Sequence, residues 1–167
     1  MVKTRNIYIV PIRRKDRKII ISDVRAHNGT LKHAIDFSLP EGTPILAAQD
    51  GRVVYVKQSS NKNGGEPYYK YLNSIIIKHE NDEYSEYSHL IYKGARVKKG
   101  QTVKVGEIIG YSGNTRLSTE PHLHFHVSTK GSIKNLGKTL EIRFKEKLKY
   151  EVNSRKRVGK WKTKISP

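Results

Sequence analysis

The sequence lacks several residues and features on which common protein chemistries depend. It contains no cysteine in 167 residues, which excludes disulfide bonds, thiolate metal sites and a cysteine nucleophile. No apolar run approaches the roughly 20 residues that a transmembrane helix needs, and no signal-peptide core is visible near Met1. The length still suits one domain with a sizeable core, since a domain takes roughly 100–200 residues.

Acidic residues and several catalytic signatures are also scarce or missing. The chain has no phosphate-binding Gly-Lys loop, no His-Glu-x-x-His helix and no Gly-x-Ser-x-Gly elbow. With 15 acidic and 33 basic residues, its net charge is +18. Residues 1–26 carry +6 and residues 128–167 carry +10, whereas residues 27–127 carry only +2. Such flanks predict contact with an anionic wall polymer, membrane or nucleic acid, and solubility charge is the alternative.

Short β-rich segments separated by turn residues make up most of the chain. Turn signals such as Asp50-Gly51 separate them, and the β-rich runs cover residues 7–12, 18–24, 43–48, 52–57, 74–79, 84–90 and 123–128. No sustained helical period is present. The pattern predicts a mainly β domain with an antiparallel sheet and few or no helices.

Three histidines alternate with apolar residues in one predicted strand. Since side chains two apart on a strand share a face, one face carries His122, His124 and His126. The opposite, core-facing side carries Leu123, Phe125 and Val127. Imidazoles presented in this way suit a metal, although a polar strand face without a ligand gives the same pattern.

Asp36 strengthens the metal interpretation. It lies between Ile35 and Phe37, where a carboxylate is costly unless it is paired, hydrogen-bonded or bound to a metal. Two imidazoles and one carboxylate with an open fourth position are typical of catalytic zinc, which activates water and polarises a carbonyl. His89, in another predicted strand, is a candidate for proton transfer or oxyanion stabilisation.

These segments together resemble the lysostaphin-type zinc endopeptidases, which cut peptide cross-links in bacterial peptidoglycan. The matching pieces, in family order, are residues 34–37 (AIDF), 40–45 (PEGTPI), 87–90 (YSHL), 97–110, 112–115 (SGNT) and 121–125 (PHLHF). The resemblance implies that Asp36 and His124 bind Zn²⁺. It also implies that His122 is the general base or proton shuttle and that His89 stabilises or protonates the tetrahedral intermediate. His126 follows the motif where the family often has glutamate, and it either orients a ligand or is simply exposed.

One metal ligand departs from the family pattern. The common form places histidine four residues before the aspartate, where this chain has Lys32. His33 is three residues before Asp36, and that odd spacing on a regular strand sends the two side chains to opposite faces. His27 precedes Gly29 and resembles the start of the family motif with an insertion after it. We favour His27 as the first ligand and keep His33 as the alternative.

The resemblance also implies a domain plan and a function. We expect basic N-terminal strands in residues 1–26 packed on a peptidase core of residues 27–128, with a loop-walled active-site groove. A basic C-terminal extension would span residues 129–167. The expected activity is zinc-dependent hydrolysis of cross-links or stem peptides of peptidoglycan, at the cell wall or elsewhere outside the cytoplasm, by a phage lysin or a mature form. The alternatives are a catalytically silent wall-binding or regulatory relative and a basic nucleic-acid-binding β domain, which leaves the His/Asp motifs unexplained.

Overall fold

The computed structural model describes residues 2–16, 19–23, 27, 29–62, 71–115, 120–133, 135, 137–146, 148, 150–153 and 163–164. Within these residues the strands are β1 (Ile19–Asp23), β2 (Ile35–Ser38), β3 (Pro44–Leu46), β4 (Gly51–Lys57), β5 (Ser74–Lys78), β6 (Tyr84–Ser88), β7 (Thr102–Val103), β8 (Ile108–Tyr111), β9 (His122–Ser128), β10 (Tyr150–Asn153) and β11 (Thr163–Lys164). The helical elements among them are short 3-10 turns. No helix in this part of the chain is long and apolar enough to cross a membrane.

One large sheet dominates the described residues. Its strand order is β11-β10-β1-β2-β9-β6-β5-β4-β7, and β3 pairs with β8 in a second, two-stranded sheet. Neighbouring strands are antiparallel, with the exception of the parallel pair β1–β10. The prediction of a mainly antiparallel β domain with few or no helices is confirmed. Strands β5 and β6 form a hairpin, and its turn places Asn81 and Asp82 at positive φ, which these two residue types tolerate well.

The apolar face of the large sheet forms the core. Leu123, Phe125 and Val127 of β9 are fully buried in one hydrophobic cluster together with Ile75 and Ile77 of β5. The prediction that this side of β9 faces the core is therefore confirmed. Because successive side chains on a strand alternate between faces, the histidines of β9 lie on the opposite side of the sheet.

The N-terminal segment completes this core from outside the large sheet. Tyr8 and Val10 are fully buried in the same cluster. Residues 7–12, predicted as a strand, form only isolated bridges, among them a parallel one between Tyr8 and Phe144 and an antiparallel one between Ile12 and Ile45. The core thus includes side chains from both ends of the chain.

Candidate metal centre and active site

Strand register brings Asp36 and His124 together. Strands β2 and β9 are antiparallel neighbours, and Asp36 lies directly opposite His124 in the ladder. On the other side of β9, His124 lies opposite Ser88 of β6. Because directly opposed residues on one face have Cβ atoms about 4.5–5.5 Å apart, residues 88 positions apart in sequence become side-chain neighbours.

His27 reaches the same point from a separate segment. It lies shortly before the 3-10 turn Gly29–Leu31, and its side chain is buried. Its Nε2 lies 3.1 Å from Oδ2 of Asp36, while Nδ1 of His124 lies 2.9 Å from Oδ1 of the same carboxylate. Among the described residues, His27, Asp36 and His124 offer ligand atoms that all lie within 4.8 Å of one another.

The donor set of this cluster fits zinc. Two imidazole nitrogens and one carboxylate are the ligand types of catalytic zinc sites. Ligand distances of about 2.0–2.1 Å around a tetrahedral ion place neighbouring donors about 3.3 Å apart, close to the separations of 2.9 Å and 3.1 Å. Burial would raise the pKa of Asp36, but hydrogen bonds and charges from His124 and His27 outweigh it and hold that pKa well below its usual range. The carboxylate is therefore ionised, as a metal ligand must be.

His33, the alternative first ligand, lies outside this cluster. It precedes β2 in a turn, and its backbone N–H donates to Oγ1 of Thr139 at 3.2 Å. Among the described residues, the group that could hold a metal is His27, Asp36 and His124, without His33. The structure thus brings His27, rather than His33, to the Asp36 carboxylate.

Two more histidines flank the carboxylate. Nε2 of His122 lies 3.9 Å from Oδ1 of Asp36, and the ring centroids of His122 and His89 are 4.4 Å apart. Nδ1 of His122 contacts the carbonyl oxygen of Glu120 at 2.9 Å. Since a carbonyl only accepts, this contact assigns the proton to Nδ1 and leaves the lone pair on Nε2.

His89 is held in an unusual backbone conformation. Its φ is +65°, a left-handed conformation that costs a residue with a side chain roughly 1–2 kcal/mol. Its Nδ1 contacts the carbonyl oxygen of Thr115 at 2.7 Å. Burial lowers the pKa of His89 to about 3, and the charges of His122 and His124 act in the same direction. Backbone strain of this kind concentrates at functional sites.

A buried asparagine fixes the loop that carries Thr115. Asn73 is fully buried, and its backbone N–H donates to Oγ1 of Thr115 at 3.3 Å. Its Nδ2 donates to the carbonyl oxygens of Ser60 and Leu90 at 2.7 Å and 3.2 Å. Loops on this side of the site line a cavity of about 170 Å³, whose lining residues are Glu41, Asn61, Lys62, Ile91, Tyr92, Asn114 and Thr115.

Three polar side chains at or near the site, Asn73, Thr115 and Glu86, have no role that the sequence pattern predicts. Asn73 lies in no motif, and Thr115 lies in the SGNT segment, which indicates no role for its side chain. Glu86 is 5% exposed and lies directly opposite His126 in the β6–β9 ladder. A glutamate in the strand that leads to His89 is a signal that could have found it.

Comparison with known proteins identifies the family of this chain. Residues 30–136 match peptidase family M23. The chain belongs to that family. The resemblance to lysostaphin-type peptidases is thereby confirmed, as is the expectation of a peptidase family. His27 lies just before the range matched to M23, so the family match does not extend to the first candidate ligand.

Named relatives of this M23 chain act on peptidoglycan. It is 40% identical over 108 residues to the peptidoglycan DD-endopeptidase ShyA of Vibrio cholerae, covering 65% of this chain and 21% of that protein. The chain spans between 21% and 29% of the lengths of the first curated relatives that it matches.

Solved M23 structures share its fold. A zinc-containing peptidase from Vibrio cholerae is similar with a TM-score of 0.56 and 28% identity, over 73% of this chain and 36% of that chain. The catalytic domain of lysostaphin from Staphylococcus simulans is similar with a TM-score of 0.50 and 32% identity, over 64% of this chain and 74% of that domain.

Proposed function

We propose that this M23 chain is a zinc-dependent endopeptidase and that His27, Asp36 and His124 hold the ion. The observation that carries the proposal is the convergence of two imidazole nitrogens on one ionised carboxylate, with all donors within 4.8 Å. Bound there, zinc would supply Lewis-acid catalysis for the hydrolysis of an amide.

His122 and His89 are the proposed catalytic residues. The contact of each Nδ1 with a carbonyl oxygen supports a tautomer in which Nε2 carries the lone pair. His122 is the more exposed of the two and lies nearer the carboxylate, so we assign to it the removal of a proton from the attacking water. His89 is assigned the stabilisation of the developing charge or the delivery of a proton to the leaving amine. Because burial lowers its pKa to about 3, it must first take up that proton during the reaction, from the attacking water.

The proposed substrate is a peptide bond in peptidoglycan, either a cross-link or a bond of the stem peptide. Support comes from the relatives, whose names describe peptidoglycan endopeptidases. Hydrolysis of this polymer implies action outside the cytoplasm. We also propose that the basic flanks hold the enzyme on anionic wall polymers or membrane, supported by the net charge of +18, and we expect no specific nucleic-acid partner.

Zinc content and hydrolysis, measured together, test the proposal. The experiment compares the wild type with His27→Ala and, as a matched control, His33→Ala. We expect one zinc per chain and release of new amino groups from purified peptidoglycan in the wild type and in His33→Ala. His27→Ala should lose both. A wild type that binds no zinc after reconstitution would overturn the proposal in favour of a silent, wall-binding relative. Zinc loss in His33→Ala alone would reassign the first ligand.

A further inference from the structure

A second imidazole lies behind the candidate ligand His124. Nδ1 of His126 is 3.4 Å from Nε2 of His124, the nitrogen that His124 does not direct at Asp36. The two ring centroids are 5.5 Å apart and the rings are inclined by 70°. His126 is 1% exposed, so it contacts protein rather than solvent and does not face the substrate.

A buried carboxylate stands behind His126 in turn. Glu86 lies directly opposite His126 in the β6–β9 ladder, and its Oε2 is 3.6 Å from Nε2 of His126. This separation is longer than a hydrogen bond, so the contact is electrostatic. Ser88 donates its hydroxyl to Oε1 of Glu86 at 2.6 Å, which fixes the carboxyl group from its other side.

His124, His126 and Glu86 form a row of side chains. The positions of the protons along this row follow from the chemistry of the groups. A neutral His124 that offers the lone pair of Nδ1 to a metal carries its proton on Nε2. That N–H faces Nδ1 of His126, which must therefore accept, and the proton of His126 then lies on Nε2, facing Glu86. Two N–H dipoles thus point the same way and end at a carboxylate. Neighbouring residues of β6 and β9 supply every group, so the sheet itself fixes the direction of the row.

We propose that His126 and Glu86 are positioning residues that fix the tautomer and ring orientation of His124, so that its Nδ1 is offered to zinc. The inference rests on the proposed function, because it takes His124 as a zinc ligand. Metal-binding histidines generally pass their second N–H to a carboxylate, carbonyl or water, and loss of that partner typically weakens metal binding 10- to 100-fold. Here an imidazole relays that contact to the carboxylate.

The positioning role of His126 and Glu86 is tested by zinc affinity, measured by competition with a chromogenic chelator, so the test does not rely on activity. His126→Leu removes the acceptor, and we expect its zinc affinity to fall 10- to 100-fold. His126→Asn keeps an oxygen near the position of Nδ1 and should recover most of that loss. Glu86→Gln keeps the shape without the charge and should lose less than His126→Leu.

His79→Leu is the matched control, because His79 is also a buried histidine but bonds to Asp50 and Ser85 instead. It should bind zinc as the wild type does. The visible spectrum of the cobalt-substituted protein should change in His126→Leu and not in His79→Leu. Imidazole ¹⁵N spectra of the zinc-loaded wild type should show the proton of His126 on Nε2.

The outcomes separate the two proposals. A wild type without zinc overturns the proposed function. A wild type that binds zinc, with His126→Leu of equal affinity and unchanged cobalt spectrum, overturns only the positioning role. An equal loss of affinity in His79→Leu also overturns it, since general destabilisation would then explain the effect. Should His126→Leu fail to fold, Glu86→Gln and the wild-type spectra decide, and a proton on Nδ1 of His126 contradicts the inference.

Discussion

Two buried glutamates, one just before β6 and one in the middle of it, have different partners. Glu83, just before β6, is 3% exposed and accepts from the hydroxyl of Tyr8 at 2.9 Å and from Nδ2 of Asn6 at 2.9 Å. The backbone N–H groups of Arg5 and Asn6 also donate to it. Three residues further on, Glu86 faces Ser88 and the histidine row.

The difference separates a structural from a functional use of buried charge. At Glu83 the partners are two backbone N–H groups, one side-chain amide and one hydroxyl, so this carboxylate fastens the N-terminal segment to the β5–β6 hairpin. At Glu86 the partners include a titratable ring that leads to the candidate metal ligands. A buried carboxylate without partners is costly, and the two sites meet that cost with different kinds of group. Four predictions test how far the division holds.

Asp36→Asn should have the largest effect, because it removes the charge on which both imidazoles converge. We expect zinc affinity to fall by more than the 10- to 100-fold that loss of an outer partner costs, and peptidoglycan hydrolysis to fall to background. Elemental analysis and amine release measure the two effects. Retention of tightly bound zinc by this variant would remove Asp36 from the ligand set.

His122→Ala should separate catalysis from metal binding. Loss of a general acid–base group typically lowers the rate by 10² to 10⁴, and the three proposed ligands are unchanged in this variant. We therefore expect hydrolysis to fall in that range with one zinc per chain retained. Zinc loss that parallels the loss of activity would show that His122 is needed for the metal rather than for proton transfer.

Glu83→Leu should affect stability and leave the metal centre intact. It removes the acceptor of the Tyr8 hydroxyl and of backbone donors in residues 5–6. Leaving each buried donor unsatisfied costs about 1–3 kcal/mol, so we expect the free energy of unfolding to fall by about 3 kcal/mol. Urea unfolding measures this loss. Zinc affinity measured under folding conditions should equal that of the wild type, and a selective loss of zinc would erase the division between the two glutamates.

Acidification should reveal the effect on stability of His79, whose backbone N–H donates to the carbonyl oxygen of Glu83. Burial lowers its pKa, while its hydrogen bond to Asp50 and the charges of Glu83 and Asp50 act in the opposite direction. Below about pH 6.5 the unfolded chain binds a proton that folded His79 resists. Its effect is therefore absent above that pH, and stability falls as pH falls, by at most about 1.4 kcal/mol per pH unit.

The pH effect can be isolated in the metal-free protein. We compare urea unfolding of the wild type and His79→Gln at pH 7.5 and 5.5, and expect the smaller loss of stability on acidification in the variant. Equal losses in the two proteins would show that His79 does not contribute to the pH dependence.

Much of the fold and site could be predicted because the signals are local. Alternation in residues 122–128 predicted which side of β9 faces the core, and Leu123, Phe125 and Val127 are fully buried. The order of the motifs indicated the candidate site residues, because each lies in a short segment with its own pattern. These residues are Asp36, His89, His122 and His124.

The rest depends on register between distant segments. The pairing of Glu86 with His126 follows from the β6–β9 alignment, and no local spacing indicates which residues will face each other. The approach of His27 depends on the path of the chain before β2, because neither sequence distance nor strand periodicity applies there. The parallel bridge between Tyr8 and Phe144 likewise has no local signature.

The bridge between Tyr8 and Phe144 has a consequence for synthesis. As the chain leaves the ribosome, Tyr8 and Val10 emerge well before Leu140 and Phe144, which lie in or against the same core. Contacts of such long sequence separation form slowly, because their loop-closure entropy is lost before the contact forms. Until residue 144 has been translated, Tyr8 and Val10 therefore lack these partners, and this part of the core closes only afterwards.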